Sequence, residues 1–309
     1  MPVVVASTPQ RRFRFVPAHL PFIEQLYFLG RPSNATLPIL LIVAGYYAAI
    51  DTYIPPDASL YALLGCVFLI HAGFNILNDI ADKHIDYDNN VKTIITSGSP
   101  RQVKQLTYGA IGLVLAGIGL AISLPLASGV IVLSMVILSL CYNQKPFQFS
   151  RRPIASIASL GVLYGLLPLF AGYFLVTTNI NTEIILLGFF WMLGRASLSL
   201  LKDFKDTRGD KLHQKQTFLL HFGPHLTLQS SVILGIISYA SVSTIIVMLM
   251  NSEATRIVAI ITLLIVGGIF VHQRLALLRP HSNTDVIFDR LITLQLLVDG
   301  IFLACLTLS

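Results

Sequence analysis

Residues 59–88 read SLYALLGCVFLIHAGFNILNDIADKHIDYD. The run from Ser59 to Asn78 contains no acid, lysine or arginine, and about 20 helical residues are enough to cross roughly 30 Å of hydrocarbon. Neither glycine nor proline separates that run from the acids behind it. The spacing therefore predicts a helix that leaves the membrane with Asn78, Asp82 and Asp86 on one face, four residues apart, climbing about 12 Å.

Similar apolar runs lie on either side of this one, from Thr36 to Tyr53, Gln105 to Leu124, Pro125 to Asn143, Pro153 to Val176 and Glu183 to Leu201. Others follow at Leu226 to Met250, Thr255 to Val271 and Val286 to Leu308. The expected fold is all-α: a polytopic membrane protein of nine transmembrane helices around a central cavity, or eight if the runs meeting at Leu124 and Pro125 are one helix. Residues 1–30 read as a cytoplasmic N-terminal segment and 31–309 as the membrane domain, in two similar halves of about 31–150 and 151–309. Composition agrees, since 54% of the residues are apolar and only 12% charged, a balance rare in a water-soluble domain of this size.

The basic residues set the expected orientation. They cluster before the first run (Arg11, Arg12, Arg14, Arg31) and in every second connection, and only Arg256 is left for the other side. The positive-inside rule places the N-terminus and the acid-bearing connections in the cytoplasm. A net charge of +6 then needs only anionic lipid or an anionic substrate, with no nucleic acid. Cys66, Cys141 and Cys305 show no disulfide or zinc spacing. The arginine-bearing N-terminus has no apolar core ahead of Pro17, so no removable signal peptide is expected. Nucleotide loops, dinucleotide fingerprints, HExxH and nucleophile elbows are absent from the sequence.

A second acidic stretch, Lys202-Asp203-Phe204-Lys205-Asp206-Thr207-Arg208-Gly209-Asp210-Lys211, follows the sixth run as the first follows the second. Asp203, Asp206 and Asp210 are spaced three and four, again one helical stripe. Seven of the chain's 15 acids fall in these two stretches. Like charges at helical spacing repel, so a cation is expected between them. Magnesium usually keeps waters and bridges one or two carboxylates to substrate phosphate, an arrangement that two acid stripes with a diphosphate between them would suit.

These residues resemble the UbiA superfamily of intramembrane prenyltransferases. Asn78-x3-Asp82-x3-Asp86 looks like that family's first aspartate motif, and Asp203-x2-Asp206-x2-Gly209-Asp210 like its second. Lys215-Gln216-Thr217-Phe218-Leu219, Arg31-Pro32 and Tyr142-Asn143-Gln144-Lys145 are similar to further family segments. Where the family commonly carries Arg-Pro-Leu/Ile-x-Ser-Gly, this chain has Thr93-Ile94-Ile95-Thr96-Ser97-Gly98. It keeps the Ser-Gly but has no arginine or proline there, and Lys92 is the nearest positive charge.

The resemblance implies transfer of a prenyl group from a polyprenyl diphosphate to a small acceptor within the bilayer. Asp82, Asp86, Asp206 and Asp210 would be catalytic and hold Mg2+, with Asn78 and Asp203 in support. Asn78, Lys145, Lys202, Lys211, Arg101 and Lys92 would meet the diphosphate. Tyr108, Tyr142, Tyr164, Phe74 and Phe170 are candidates to face the allylic cation through their rings. An aromatic acceptor, as in quinone or related lipid biosynthesis, is the first expectation; a non-aromatic acceptor or cyclisation of the prenyl chain is the second. A transporter ranks last, because its ionisable groups belong at the midplane of broken helices and these acids lie at helix ends. Arg195 and Asp299 lie within apolar runs, where charges are costly and usually paired or functional. Asp299 reads as a structural hydrogen-bonding group and His71 as a packed, hydrogen-bonded side chain.

Overall fold

The computed structural model describes residues 21–50, 56–89, 93–204, 207–249, 253–276 and 284–308. The first 20 residues, the apolar-run ends Tyr53 and Met250, and the site candidates Lys92 and Asp206 lie outside them. All regular structure among the described residues is helical.

Helix α1 (Phe22–Gly30) and helix α2 (Pro32–Ala48) meet at Arg31, whose left-handed backbone (φ 53°) bends the pair by 58°. Helix α3 (Ala58–Ala81) begins at Asp57, whose carboxylate accepts the Leu60 N–H at 2.9 Å, and runs into the short α4 (Lys83–Asp88). The segment that departs from the family pattern forms one turn, α5 (Ile94–Ser97), closed by a capping box between Thr93 and Thr96. It buries Ile94 and Ile95. A second capping box, between Ser99 and Gln102, starts α6 (Pro100–Ala121). Helix α7 (Leu126–Asn143) follows after a turn through Ser123 and Leu124, so the runs meeting at Leu124 and Pro125 are two helices.

Pro153–Tyr173 is a single apolar unit in which α8 (Pro153–Gly161) passes through a π turn at Val162–Leu166 into α9 (Leu167–Tyr173). Helix α10 (Thr182–Lys202) is capped by Asn181, and α11 (Thr207–Leu212) is short. Helix α12 (Phe218–Leu249) turns sharply at Gly223 (φ 82°) ahead of Pro224. Helices α13 (Glu253–Ala276) and α14 (Thr284–Leu308) complete the chain.

A helix overlies each expected apolar run. Among the described residues six units are long and apolar enough to span, namely α3, α6, α7, the α8–α9 unit, α10 and α12. The α1–α2 pair makes up to seven if it is one span, so the count of nine is not established. The protein is an all-helical, multi-pass membrane protein. Its helices form a ring: α2 packs on α3, α9 and α14, α7 on α3 and α9, α10 on the α8–α9 unit and α12, and α13 on α12 and α14. Outward positions such as Ile122 and Leu126 are apolar and exposed, as lipid contact requires.

Two apolar cores share α2 and α9. Leu41, Leu169 and Trp191 belong to one, and Ile42, Leu63, Val132 and Ala171 to the other. Between the cores the two helices touch main chain to main chain. A Cβ on Gly45 would stand 2.0 Å from the Leu169 carbonyl oxygen, and one on Gly172 would stand 1.9 Å from that of Ile42. Small residues let membrane helices approach this closely. The glycines of α6 divide: Gly117 lies against α3 and Gly109 against α1, whereas a Cβ on Gly112 or Gly119 would meet nothing within 4 Å among the described residues. Replacing Gly172 by Leu is expected to cost about 1–3 kcal/mol, read as a lower melting temperature in detergent, whereas Gly112→Leu should leave it unchanged.

Candidate active site

A cavity of about 640 Å3 occupies the centre of the ring, with the acids at one end. The first motif arrives as its spacing predicts. The Asp82 N–H donates to the Asn78 carbonyl and the Asp86 N–H to that of Asp82, both at 2.9 Å, so helical bonding continues through the break at Asp82. Asn78, Asp82 and Asp86 all line the cavity.

The second motif differs from the expected single stripe. Helix α10 stops at Lys202, Asp203 is its C-cap, and Asp210 belongs to the separate α11. Asp203 and Asp210 still line the cavity and are buried. The two acidic helices pack on each other directly. The Gly209 N–H donates to Asn89 Oδ1 at 2.6 Å, and His213 Nε2 lies 2.7 Å from Asp88 Oδ2. A Cβ at Gly209 would stand 2.5 Å from the Ile85 carbonyl. The motif glycine is thus the point at which α4 and α11 touch.

Lys215 completes the junction. Its Nζ lies 3.3 Å from Asp82 Oδ2 and 3.5 Å from Asp210 Oδ1, so one ammonium joins a carboxylate of each motif. Burial would lower its pKa, but Asp82 and Asp210 outweigh that effect and hold it above the ordinary lysine value. Two more bases line the cavity near the acids. Arg31 is ion-paired with Asp79, and Lys202 donates to the Tyr142 hydroxyl at 2.5 Å.

Lys145, Lys211 and Arg101 are exposed and lie outside the lining. At the family's Arg-Pro position the cavity is met by Thr93, a neutral capping residue. Of the candidate rings, Phe74, Tyr142 and Tyr164 line the cavity. Tyr108 is 62% exposed, and Phe170 packs on Phe174 in a core.

The deep end carries a second charged group. Arg195 and Asp299 form a buried ion pair, and the same carboxylate accepts from Trp191 Nε1 at 3.1 Å and Gln295 Nε2 at 3.0 Å. Pro168 has no N–H to return to the Tyr164 carbonyl four residues back, and Arg195 Nε donates to that carbonyl at 3.3 Å. His71 is buried against the Tyr164 ring, but its Nε2 has no hydrogen-bond partner among the described residues, where a hydrogen-bonded side chain was expected.

Among the described residues no three His, Cys, Asp or Glu side chains converge closely enough to hold a metal by themselves. The lining carboxylates fit an ion that takes oxygen donors and draws the rest of its shell from water and phosphate. Lys215 already shows that a cation is accommodated between the motifs.

An apolar ring of membrane helices around a chamber with acids at one end and bases beside them is the architecture of an intramembrane enzyme. The chain matches the UbiA prenyltransferase family over residues 38–296, belongs to that family and is a prenyltransferase. It is similar to the digeranylgeranylglyceryl phosphate synthase of Methanosphaera stadtmanae, with 30% identity over 71% of this chain and 75% of that protein. The enzyme of the same name from Thermococcus sibiricus is 25% identical over 84% of this chain and 87% of that one. The fold is shared with a UbiA homolog from Archaeoglobus fulgidus solved bound to GPP and Mg2+, with a TM-score of 0.67, 18% identity, and 92% and 99% of the two chains covered.

Gly209→Val is expected to part α4 from α11 and lower prenyl transfer at least about tenfold, with the protein still inserted and its melting temperature largely retained. Turnover of the purified variant checks this.

Proposed function

We propose that the chain is a Mg2+-dependent prenyltransferase that joins a polyprenyl group to the hydroxyl of a glyceryl phosphate lipid. The observation that carries the reading is Lys215, which brings Asp82 and Asp210 of the two motifs to one positive charge at the mouth of a single cavity. Asp82, Asp86 and Asp210, with Asn78 and Asp203 beside them, would hold the metal. Bound there, it supplies Lewis-acid polarisation of the diphosphate.

The chain's own groups do the rest. Lys215, Lys202 and Arg31 offer fixed positive charge where the leaving diphosphate gains negative charge, Arg31 in bidentate form and the lysines as point charges. Below them Phe74, Leu163, Leu198 and Leu296 line the cavity with apolar surface, which keeps water from the allylic carbon. Tyr142 and Tyr164 present rings to the developing cation. The basic connections on the same side support a cytoplasmic acidic end.

A non-aromatic acceptor is preferred over an aromatic one because the curated relatives are named for digeranylgeranylglyceryl phosphate. A transfer ending in that product starts from a glyceryl phosphate that already carries one geranylgeranyl chain. The test is to incubate purified protein with geranylgeranyl diphosphate, Mg2+ and either geranylgeranylglyceryl phosphate or an aromatic hydroxy acid, and to read products by mass. The ether lipid is expected from the first mixture only. Transfer to the aromatic acid alone, or a cyclised product without acceptor, would replace this reading. Chelation of the metal, Asp82→Asn and Asp210→Asn should each lower diphosphate release about 100-fold or more.

A further inference from the structure

The deepest polar groups of the cavity are not used by the diphosphate end. His71 on α3 and Arg195 on α10 each lie two helical turns, about 10 Å, below Asn78 and Lys202 on the same helices. Both line the cavity, and they are 4% and 2% exposed. Each leaves one nitrogen, Nε2 of His71 and Nη1 of Arg195, without a hydrogen-bond partner among the described residues. Tyr164 joins them, its ring 4.9 Å from the imidazole and its carbonyl 3.3 Å from Arg195 Nε. A buried polar atom left unpaired is unfavourable, and two such atoms on residues that line one cavity mark a place for a ligand atom.

The chemistry of that atom follows from charge. Arg195 is already neutralised by Asp299, so the floor of the cavity does not call for an anion. A guanidinium Nη1 can only donate, whereas a neutral imidazole nitrogen accepts when the other nitrogen holds the proton. A hydroxyl satisfies both, accepting from Arg195 and donating to His71.

We infer that His71 and Arg195 form the subsite for the acceptor's hydroxyl group, set below the diphosphate on the path of the allylic carbon. The inference rests on the alcohol acceptor proposed above. As the bond from the prenyl carbon to the diphosphate oxygen breaks, its electron pair leaves with the diphosphate. The acceptor oxygen bonds to that carbon, and its proton passes to Nε2 of His71 in the tautomer protonated at Nδ1. Arg195 holds the oxygen in line.

The test uses the full-length protein with geranylgeranyl diphosphate, geranylgeranylglyceryl phosphate, and the deoxy analogue of that acceptor as a competitive inhibitor. His71→Leu is expected to raise the acceptor KM at least about tenfold without moving that of geranylgeranyl diphosphate, and to erase the wild-type preference for acceptor over deoxy analogue. His71→Gln, which keeps a hydrogen-bonding group, should recover part of both and carries the same comparison if the leucine variant does not fold. Unchanged acceptor KM and unchanged preference in the variants would overturn the subsite alone and assign these nitrogens to ordered water. Diphosphate release by the wild type without transfer to any alcohol would overturn the subsite together with the proposed acceptor class.

Discussion

The active end of this protein depends on one ammonium. Lys215 stands between Asp82, at the end of α3, and Asp210, on α11. Without a positive charge the two motifs would present facing carboxylates in a partly buried space, where screening by water is weak. Lys215 enters from the segment just before α12, so the contact ties three stretches of chain together at the cavity mouth. The Gly209 to Asn89 hydrogen bond fastens the same junction from the outer side.

The opposite end is organised by a second ion pair, and the two are built differently. Lys215 and both of its carboxylate partners line the cavity. Arg195 lines the cavity, whereas Asp299 is enclosed behind it, with Trp191 and Gln295 also donating to its carboxylate. Charges this deep are tolerated only when paired, and removing one member of such a pair costs about 3–5 kcal/mol. The pair also spans the fold, since Arg195 reaches the Tyr164 carbonyl opened by Pro168 and the π turn. An ion-paired, hydrogen-bonded floor thereby lies opposite the acidic end.

Much of this was legible in the sequence. Apolar runs marked the helices because a span has a fixed length, and four-residue spacing placed Asn78, Asp82 and Asp86 together because helical bonding continues through Asp82. The second motif was legible as chemistry but not as shape, since α10 ends before α11 begins. Arg31 and Lys215 stood in recognisable segments, yet their partners lie 48 and 133 residues away, beyond any local pattern. Asp79 sits next to Asn78 but off the stripe, so spacing pointed away from it. For Lys145, Lys211 and Arg101, charge near a helix end says nothing about which side of the helix faces the cavity. His71 looked like core because a lone histidine in an apolar run usually is, and it is buried; that it also lines a cavity was not legible.

The seam between α2 and α9 carries a consequence for how the sequence can drift. Gly45 and Gly172 each press on the other helix's main chain rather than on a side chain. An enlarged residue in most cores can be absorbed by shrinking its neighbour, but a carbonyl has nothing to give up. No partner substitution rescues either glycine, so the two positions are fixed one by one rather than as a covarying pair, even where the lipid-facing surface around them turns over freely.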